Sequence, residues 1–514
     1  VKTDRIISQH DVRTIWIVTT ILLLPLVTFP LGIDQSIFLR GGRMLFDGGT
    51  LYADFIDVKP PLIFLIFGLA DLLGGASFIG VADVLLHSIA IRFLLSAATS
   101  LQFSARSTWT MTLVYALLQV TLNIGQTAQT ETWACVAFAG VFAFLLKNPS
   151  FNRNISLGFL LAICIGLKFT LGVVALPIAL VMAYEQRGNE RIRSIGTFIG
   201  STILTLTFVL LAVGHDPRFY DGFREVMAYL SMYSSEPRLS ITFFTFALTR
   251  CGEFAGDNVG IIITSLVIVG IVVLLTQQIT SLRRKNDLVL FAVLLSFVIL
   301  FATVLLERRF FPYHFARLYV PLSFLAAFGG QWVFTQFSVS RRSTVVVAIT
   351  LAMLFTPIPR YVNIVRHAAI MTIDPSQRLV RQSEIFTGSA EQLPNLQTRL
   401  APLVHDTTRW AILSWQAAPL ALSLPGHNVL SVGATQFLTG AAARPRWKER
   451  SIQEMSTADM IVVDTSDVAP PVTLHSMSSW GAIRHDSTLL NVFVAHFSAT
   501  DTVGSYIVFI RRPS

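Results

Sequence analysis

Charge is scarce in this sequence. Asp, Glu, Lys and Arg make up 13% of 514 residues and apolar types 53%, with a mean hydropathy of +0.62. That is too apolar for one soluble domain or several, so the chain reads as a polytopic membrane protein. Cysteine is nearly absent. Cys135 and Cys164 fall in apolar runs and Cys251 stands alone, which excludes a legible disulfide framework and any CxxC metal motif. There is no HExxH, no acidic cluster of EF-hand spacing and no Walker loop. A protein-built metal site and a nucleotide-driven pump are therefore unsupported. The first apolar stretch, 14–33, follows Lys2, Arg5 and Arg13 and shows no small-residue cleavage site, so it reads as an uncleaved span.

What is present is a series of apolar windows long enough to approach the roughly 30 Å of a bilayer's hydrocarbon core. They fall at 14–33, 79–99, 108–124, 131–147, 155–168, 170–184, 194–214, 258–278, 287–306, 314–337 and 343–360. The stretch 60–75, PPLIFLIFGLADLLGG, is short, carries Asp71 and ends in two glycines. If it does not cross, the basic clusters at Arg106, Lys147/Arg153, Arg187/Arg191/Arg193, Arg283/Arg284/Lys285 and Arg341/Arg342 all share the N-terminal side. That agrees with the positive-inside tendency and accounts for the net charge of +9 without nucleic acid. We therefore expect 60–75 to be an interfacial or re-entrant helix with its prolines in the first turn. The expectation is eleven spans, a cytoplasmic N-terminus and an external C-terminus.

The fold class expected is a mainly α polytopic membrane protein of about eleven transmembrane helices plus interfacial helices, followed by a small extramembrane α/β domain. Residues 1–360 form the membrane domain and 361–514 the external one. Short β-like runs at 410–415, 460–464, 490–497 and 506–510 support the latter. The loops 34–59, 125–131, the tip near Lys168, 215–257 and 307–313 are expected on one external face. In 215–257, Phe219, Phe223, Met227 and Leu230 have the spacing of a surface amphipathic helix.

The first of these loops, 34–61, concentrates ionisable residues beside a bilayer, where they are costly and tend to be functional. Asp34 is either a helix cap or a general base at the interface. Lys59 either snorkels or meets a lipid phosphate, a task that Lys168, Arg308 and Arg309 would share. Tyr52, Asp54, Tyr313 and His314 are candidate substrate contacts, with His314 equally readable as a satisfied interfacial histidine. Glu131 opens a span, where an acid ordinarily complements the helix dipole.

Taken in order, these features resemble the GT-C glycosyltransferases that use polyprenyl-phosphate sugars, the group holding the protein O-mannosyltransferases and lipid A aminoarabinose transferases. The resemblance runs through Asp34 in GIDQSIF, the tract GGTLYADFIDVKPPL, Glu131 in AQTETW, Lys168 in GLKFT and RRFFPYHFARLYVPL, over roughly residues 10–330. It implies that Asp34 is the catalytic acid position, Glu131 the second acid position and Lys59 the ligand of the lipid phosphate. Where the family often has a second acid beside the first, Gln35 stands here. If that neighbouring acid holds a cation or the acceptor, its function is missing here or has moved to Asp54, so the resemblance leaves room for a divalent cation.

The function expected is transfer of a sugar from a polyprenyl-phosphate donor to an acceptor hydroxyl on a lipid, glycan or protein, at the external face of a bacterial inner membrane. No further cofactor and no nucleic acid is implied. A transporter or flippase is the alternative, and it would use Asp83, His87 and Arg92 in span 79–99. A catalytically silent scaffold is a third.

Overall fold

A computed structural model describes residues 7–122, 126–234, 241–278, 285–308, 310–336, 357–374, 377, 391–439, 442–468 and 477–513. In chain order the helices are α1 (Gln9–Leu23), α2 (Ile33–Phe46), α3 (Pro61–Gly74), α4 (Ala76–Ser100), α5 (Ala105–Val120), α6 (Thr130–Leu145) and α7 (Phe151–Leu167). They continue with α8 (Ala175–Glu185), α9 (Gly188–Val213), α10 (Pro217–Ser234), α11 (Ile241–Glu253), α12 (Ile261–Val273), α13 (Lys285–Glu307) and α14 (Tyr319–Gln336). Five described helical stretches are long and apolar enough to cross a membrane, and a sixth crossing results if the pair Phe243–Val259 and Ile261–Thr276, bent by 106°, is one span. Shorter apolar helices fill most other expected windows; the window 343–360 lies almost wholly outside the described residues.

Contacts divide the chain into two compact units, one of residues 1–28, 77–209 and 241–369, the other of 29–76, 210–240 and 370–514. The boundary expected at 360/361 divides the chain by sequence, whereas this division is spatial and interleaved.

The first unit is helical, and small residues set its closest approaches. Gly270 of α12 and Gly329 of α14 face each other so tightly that a Cβ on Gly329 would lie 2.0 Å from the Leu266 carbonyl and one on Gly270 would lie 2.2 Å from that of Leu325. In a bilayer, where burial gives no hydrophobic advantage, such backbone contact is what binds helices together. Several of its buried charged side chains are paired. Arg153 is buried against Glu185 at 2.6 Å, and Lys285 approaches the same carboxylate at 3.3 Å. Asp83 accepts from Trp133 Nε1 at 2.6 Å and meets His87 Nε2 at 3.2 Å, while His87 Nδ1 lies 2.8 Å from the Tyr115 hydroxyl.

The second unit joins α2, α3 and α10 to a five-stranded sheet of order β2-β1-β3-β5-β4, formed by β1 (Arg409–Leu413), β2 (His427–Asn428), β3 (Met460–Asp464), β4 (Phe497–Val503) and β5 (Tyr506–Arg511). β1 pairs in parallel with β2 and β3, and β5 is antiparallel to β3 and β4. Leu396, Leu400, Trp410, Val462 and Tyr506 are at the centre of its core. Three expected strands are found. The fourth, 490–497, is instead the helix Ser487–His496, capped by the Asp486 carboxylate on the Thr488 and Leu489 amides; β4 begins at Phe497. A short apolar run suits either a strand or a helix, and here the N-cap decides for the helix.

Three other expectations change. The first span gives way after Leu23 to a 3-10 turn, Leu24–Thr28. The stretch 34–59, expected as an external loop, opens as helix α2, whose Gly42 backs onto Gly68 of α3 and whose Arg43 makes a two-pronged pair with Asp71 at 2.8 and 2.9 Å. That pair explains how an aspartate is tolerated in α3. In α10 the buried side is Phe219, Gly222, Val226 and Tyr229, with Met227 exposed. Gly222 lets the helix seat on the Tyr52 backbone, which rotates the buried face away from the one that apolar spacing suggested.

Overpacking the α12/α14 contact should cost about 1–3 kcal/mol. Thermal unfolding in detergent is expected to show a lower Tm for Gly329→Leu and little change for Gly330→Ala, whose nearest neighbour is 3.7 Å from the added carbon. Equal effects would contradict the packing.

Candidate active site

Asp34 lies in the first turn of α2, whose N-cap is Gly32 with no side-chain hydrogen bond. The capping role is thus not what holds this carboxylate. Its oxygen lies 4.0 Å from Lys59 Nζ, and both side chains keep partial exposure, 27% and 20%. The loop fixes the Lys59 backbone. Asp57 Oδ1 accepts from the Lys59 amide at 2.9 Å, and the Tyr52 hydroxyl donates to the Lys59 carbonyl at 2.6 Å. Pro60 caps α3 and Pro61 opens it, so Lys59 is confined to extended backbone and the helix start is fixed. The ammonium reaches over the Phe38 ring, 5.6 Å from its centroid.

The surrounding loop is itself braced. Tyr52 is buried in left-handed backbone at φ 65° and packs on Phe219 and Phe223. Such a conformation is uncommon for a side-chain-bearing residue and persists only where neighbours impose it. Asp54 accepts from the Thr50 amide at 2.9 Å and pairs with Arg218 at 3.1 Å and Arg450 at 3.6 Å. Ile56 pairs strand-like with the tail, its amide donating to Ser431 at 2.8 Å and its carbonyl accepting from Gly433 at 3.0 Å. Arg40 donates to the Leu430 carbonyl, and burial lowers its pKa to about 10. Tyr52 and Asp54 therefore shape the loop around Lys59.

Asp57 was quoted within the motif but not singled out. It is only 5% exposed, and burial pushes its carboxyl up to about 6 despite the opposing influence of Lys59, with Asp34 adding a smaller upward push. The signal available was a second aspartate two residues before the lysine.

The other cluster lies within the first unit. Glu131, in the first turn of α6, is fully buried. Its Oε1 accepts from Lys168 Nζ and from Arg317 Nη2, the latter at 3.1 Å. Glu307, at the end of α13, accepts from Arg317 at 2.8 Å through both oxygens and lies 2.8 Å from Lys168 Nζ. His314 Nε2 is 3.7 Å from Glu131 Oε1, and the buried Nδ1 has no hydrogen-bond partner among the described residues. Tyr313 stacks on Phe311 and meets His314 edge-on. Two carboxylates thus hold two cations. Removing one member would strand a buried charge at about 3–5 kcal/mol. Glu307 and Arg317 were missed because they sit ten residues apart around the 3-10 turn Pro312–Leu318, in no helical register. Arg308 lies over the Phe243 ring, 5.4 Å from its centroid, and Arg309 is outside the described residues.

A divalent cation was left open by the sequence. Ligand atoms of Glu131, Glu307 and His314 all lie within 4.8 Å of one another, a spacing suited to metal–ligand distances of about 2.0–2.6 Å. The charge does not fit: the two carboxylates already face Lys168 and Arg317.

No protein-family model matches the sequence and no curated relative is found. Solved structures are similar. The mycobacterial arabinofuranosyltransferase AftD is matched at TM-score 0.50 and 12% identity, over 99% of this chain and 40% of that one. A mutant form of AftD gives 0.49 and 15%, over 99% and 42%. The archaeal oligosaccharyltransferase AglB from Archaeoglobus fulgidus, solved with an inhibitory peptide and a dolichol-phosphate, gives 0.49 and 11%, over 88% and 69%. The AftD likeness is one of fold, and this chain spans less than half of that enzyme's length.

Because Asp57 carries a pKa of about 6 in the folded chain against 3.8 ordinarily, the unfolded chain gives up its proton first as pH rises. Folded stability from this group is therefore full below about pH 4 and lost as pH rises through about 6, on the order of 3 kcal/mol. Asp57→Asn removes that loss. Its Tm relative to wild type should climb between about pH 4 and 7; a pH-independent difference would contradict the assignment.

Proposed function

We propose that this multi-pass chain, whose fold is like that of the arabinofuranosyltransferase AftD, works as the GT-C glycosyltransferases do and moves a sugar from a polyprenyl-phosphate donor to an acceptor hydroxyl. The observation that carries the reading is the Asp34–Lys59 pair, 4.0 Å apart and partly open, on a loop that fixes the lysine backbone. A closed ion pair would leave nothing for a substrate. A separation this loose leaves room for a phosphate oxygen at Lys59 and a hydroxyl at Asp34.

The chemistry asks little more of the protein. The C1–O bond to phosphate breaks with its electron pair leaving on the phosphate, which departs as a stabilised anion beside Lys59. The acceptor oxygen forms the new C1–O bond from the opposite face, inverting the anomeric centre, and its proton passes to Asp34. No second carboxylic acid is needed to protonate the leaving group, unlike the paired acids of glycoside hydrolases. Asp57, buried and bonded to the Lys59 amide, is a positioning residue. The polyprenyl tail requires a lipid-exposed surface, and in the same unit as Asp34 and Lys59 the apolar Leu69, Leu72 and Leu73 of α3 are exposed.

Bacterial inner-membrane placement, with the N-terminus cytoplasmic and residues 361–514 periplasmic, belongs to the same proposal, its orientation resting on the distribution of Lys and Arg. The transport alternative loses its best candidates, since Asp83 and His87 are bonded to Trp133 and Tyr115 inside the helix packing.

Asp34→Asn should reduce transfer by about 10²–10⁴-fold while leaving the Tm near wild type. Lys59→Met should lower it by about 10²–10³-fold. The readout is mass spectrometry of envelope lipids and glycans from cells carrying each variant. Unchanged products with folded Asp34→Asn would sink the proposal.

A further inference from the structure

We propose that the Lys168 ammonium is the resident cation of a divalent-metal-type site formed by Glu131, Glu307 and His314, so that this chain carries no metal ion there. Three donors within 4.8 Å of one another, one of them an imidazole with a buried, unbonded Nδ1, make up the donor set of a metal centre. Within that set Lys168 Nζ is hydrogen-bonded to Glu131 and lies 2.8 Å from Glu307 Oε2. Arg317, fully buried, clasps the same two carboxylates from α14's entry turn, Pro312–Leu318. Among the described residues of the cluster, the two carboxylates and the two cations sum to zero charge.

A divalent ion added to this set would sit beside an ammonium and a guanidinium with no net negative charge to hold it. An ammonium differs from a metal ion in being tethered. It is delivered by the chain itself, at the turn where α7 ends and Lys168 becomes extended, φ −158° and ψ 119°. The site is then assembled on folding, independent of metal supply. Removing the tether while keeping the donors should convert it into a true metal site, because Glu131, Glu307 and His314 would be left with one uncompensated negative charge.

The experiment uses Mn2+ alone with the full-length protein in detergent, counting bound ion by electron paramagnetic resonance. Wild type should bind no Mn2+ that Glu307→Gln removes. Lys168→Ala should bind one more Mn2+ per chain than wild type, and the Lys168→Ala/Glu307→Gln double variant should lose that gain. Thermal unfolding is the second readout: Mn2+ should raise the Tm of Lys168→Ala and leave wild type unmoved. Wild-type binding that depends on Glu307 would overturn the proposal. So would a Lys168→Ala chain that Mn2+ neither binds nor stabilises. Both readouts are independent of turnover, so their failure would leave the transfer reading intact, and loss of the transfer reading would leave this one intact.

Discussion

The constraint on which this structure depends is that a chain so poor in charge, placed in lipid, must compensate each ionisable group it buries. An unpaired buried ion costs several kcal/mol, and breaking a pair costs about 3–5. The described membrane-side clusters obey it closely. Arg43 closes on Asp71, Arg153 and Lys285 on Glu185, Asp83 on Trp133 and His87, and Lys168 and Arg317 on Glu131 and Glu307. Asp34 and Lys59 approach only to 4.0 Å, a looser contact than any of these pairs. On the proposed reading, that looser contact is what makes them available to a substrate.

That availability depends on structure placed elsewhere. Lys59 is presented by two bonds to its own backbone and by the proline pair that starts α3. Those bonds come from Tyr52 and Asp57, which in turn rest on α10 and on the strand-like pairing of Ile56 with Ser431 and Gly433. The C-terminal segment therefore supports the first loop directly, joined to it by backbone pairing more than 370 residues apart in sequence.

Much of the fold was legible because lipid imposes a simple rule on composition: apolar windows became helices, and the double proline at 60–61 marked a helix start. Strands β1, β3 and β5 were legible from β-branched runs between turn residues. The segment Ser487–His496 was not, since an apolar run of that length suits either period and the deciding cap, Asp486, lies just outside it. Within the site, Asp34 and Lys59 were legible as charges beside a bilayer to which a resemblance gave roles, and their apposition is a matter of three-dimensional packing. Glu307 and Arg317 escaped because only a folded 3-10 turn brings them onto Glu131. Tyr52 and Asp54, read as substrate contacts, also brace the loop, a role that partners reveal and sequence does not display.

The central claim is that the open pair meets the lipid-linked phosphate. Its most direct test is an experimental structure of the protein with a polyprenyl phosphate bound. We expect a phosphate oxygen within about 2.7–3.2 Å of Lys59 Nζ, with the Asp34 carboxylate left facing the open side of the phosphate. A phosphate bound firmly elsewhere, with Lys59 and Asp34 drawn into a closed pair and touching neither lipid nor sugar, would contradict it.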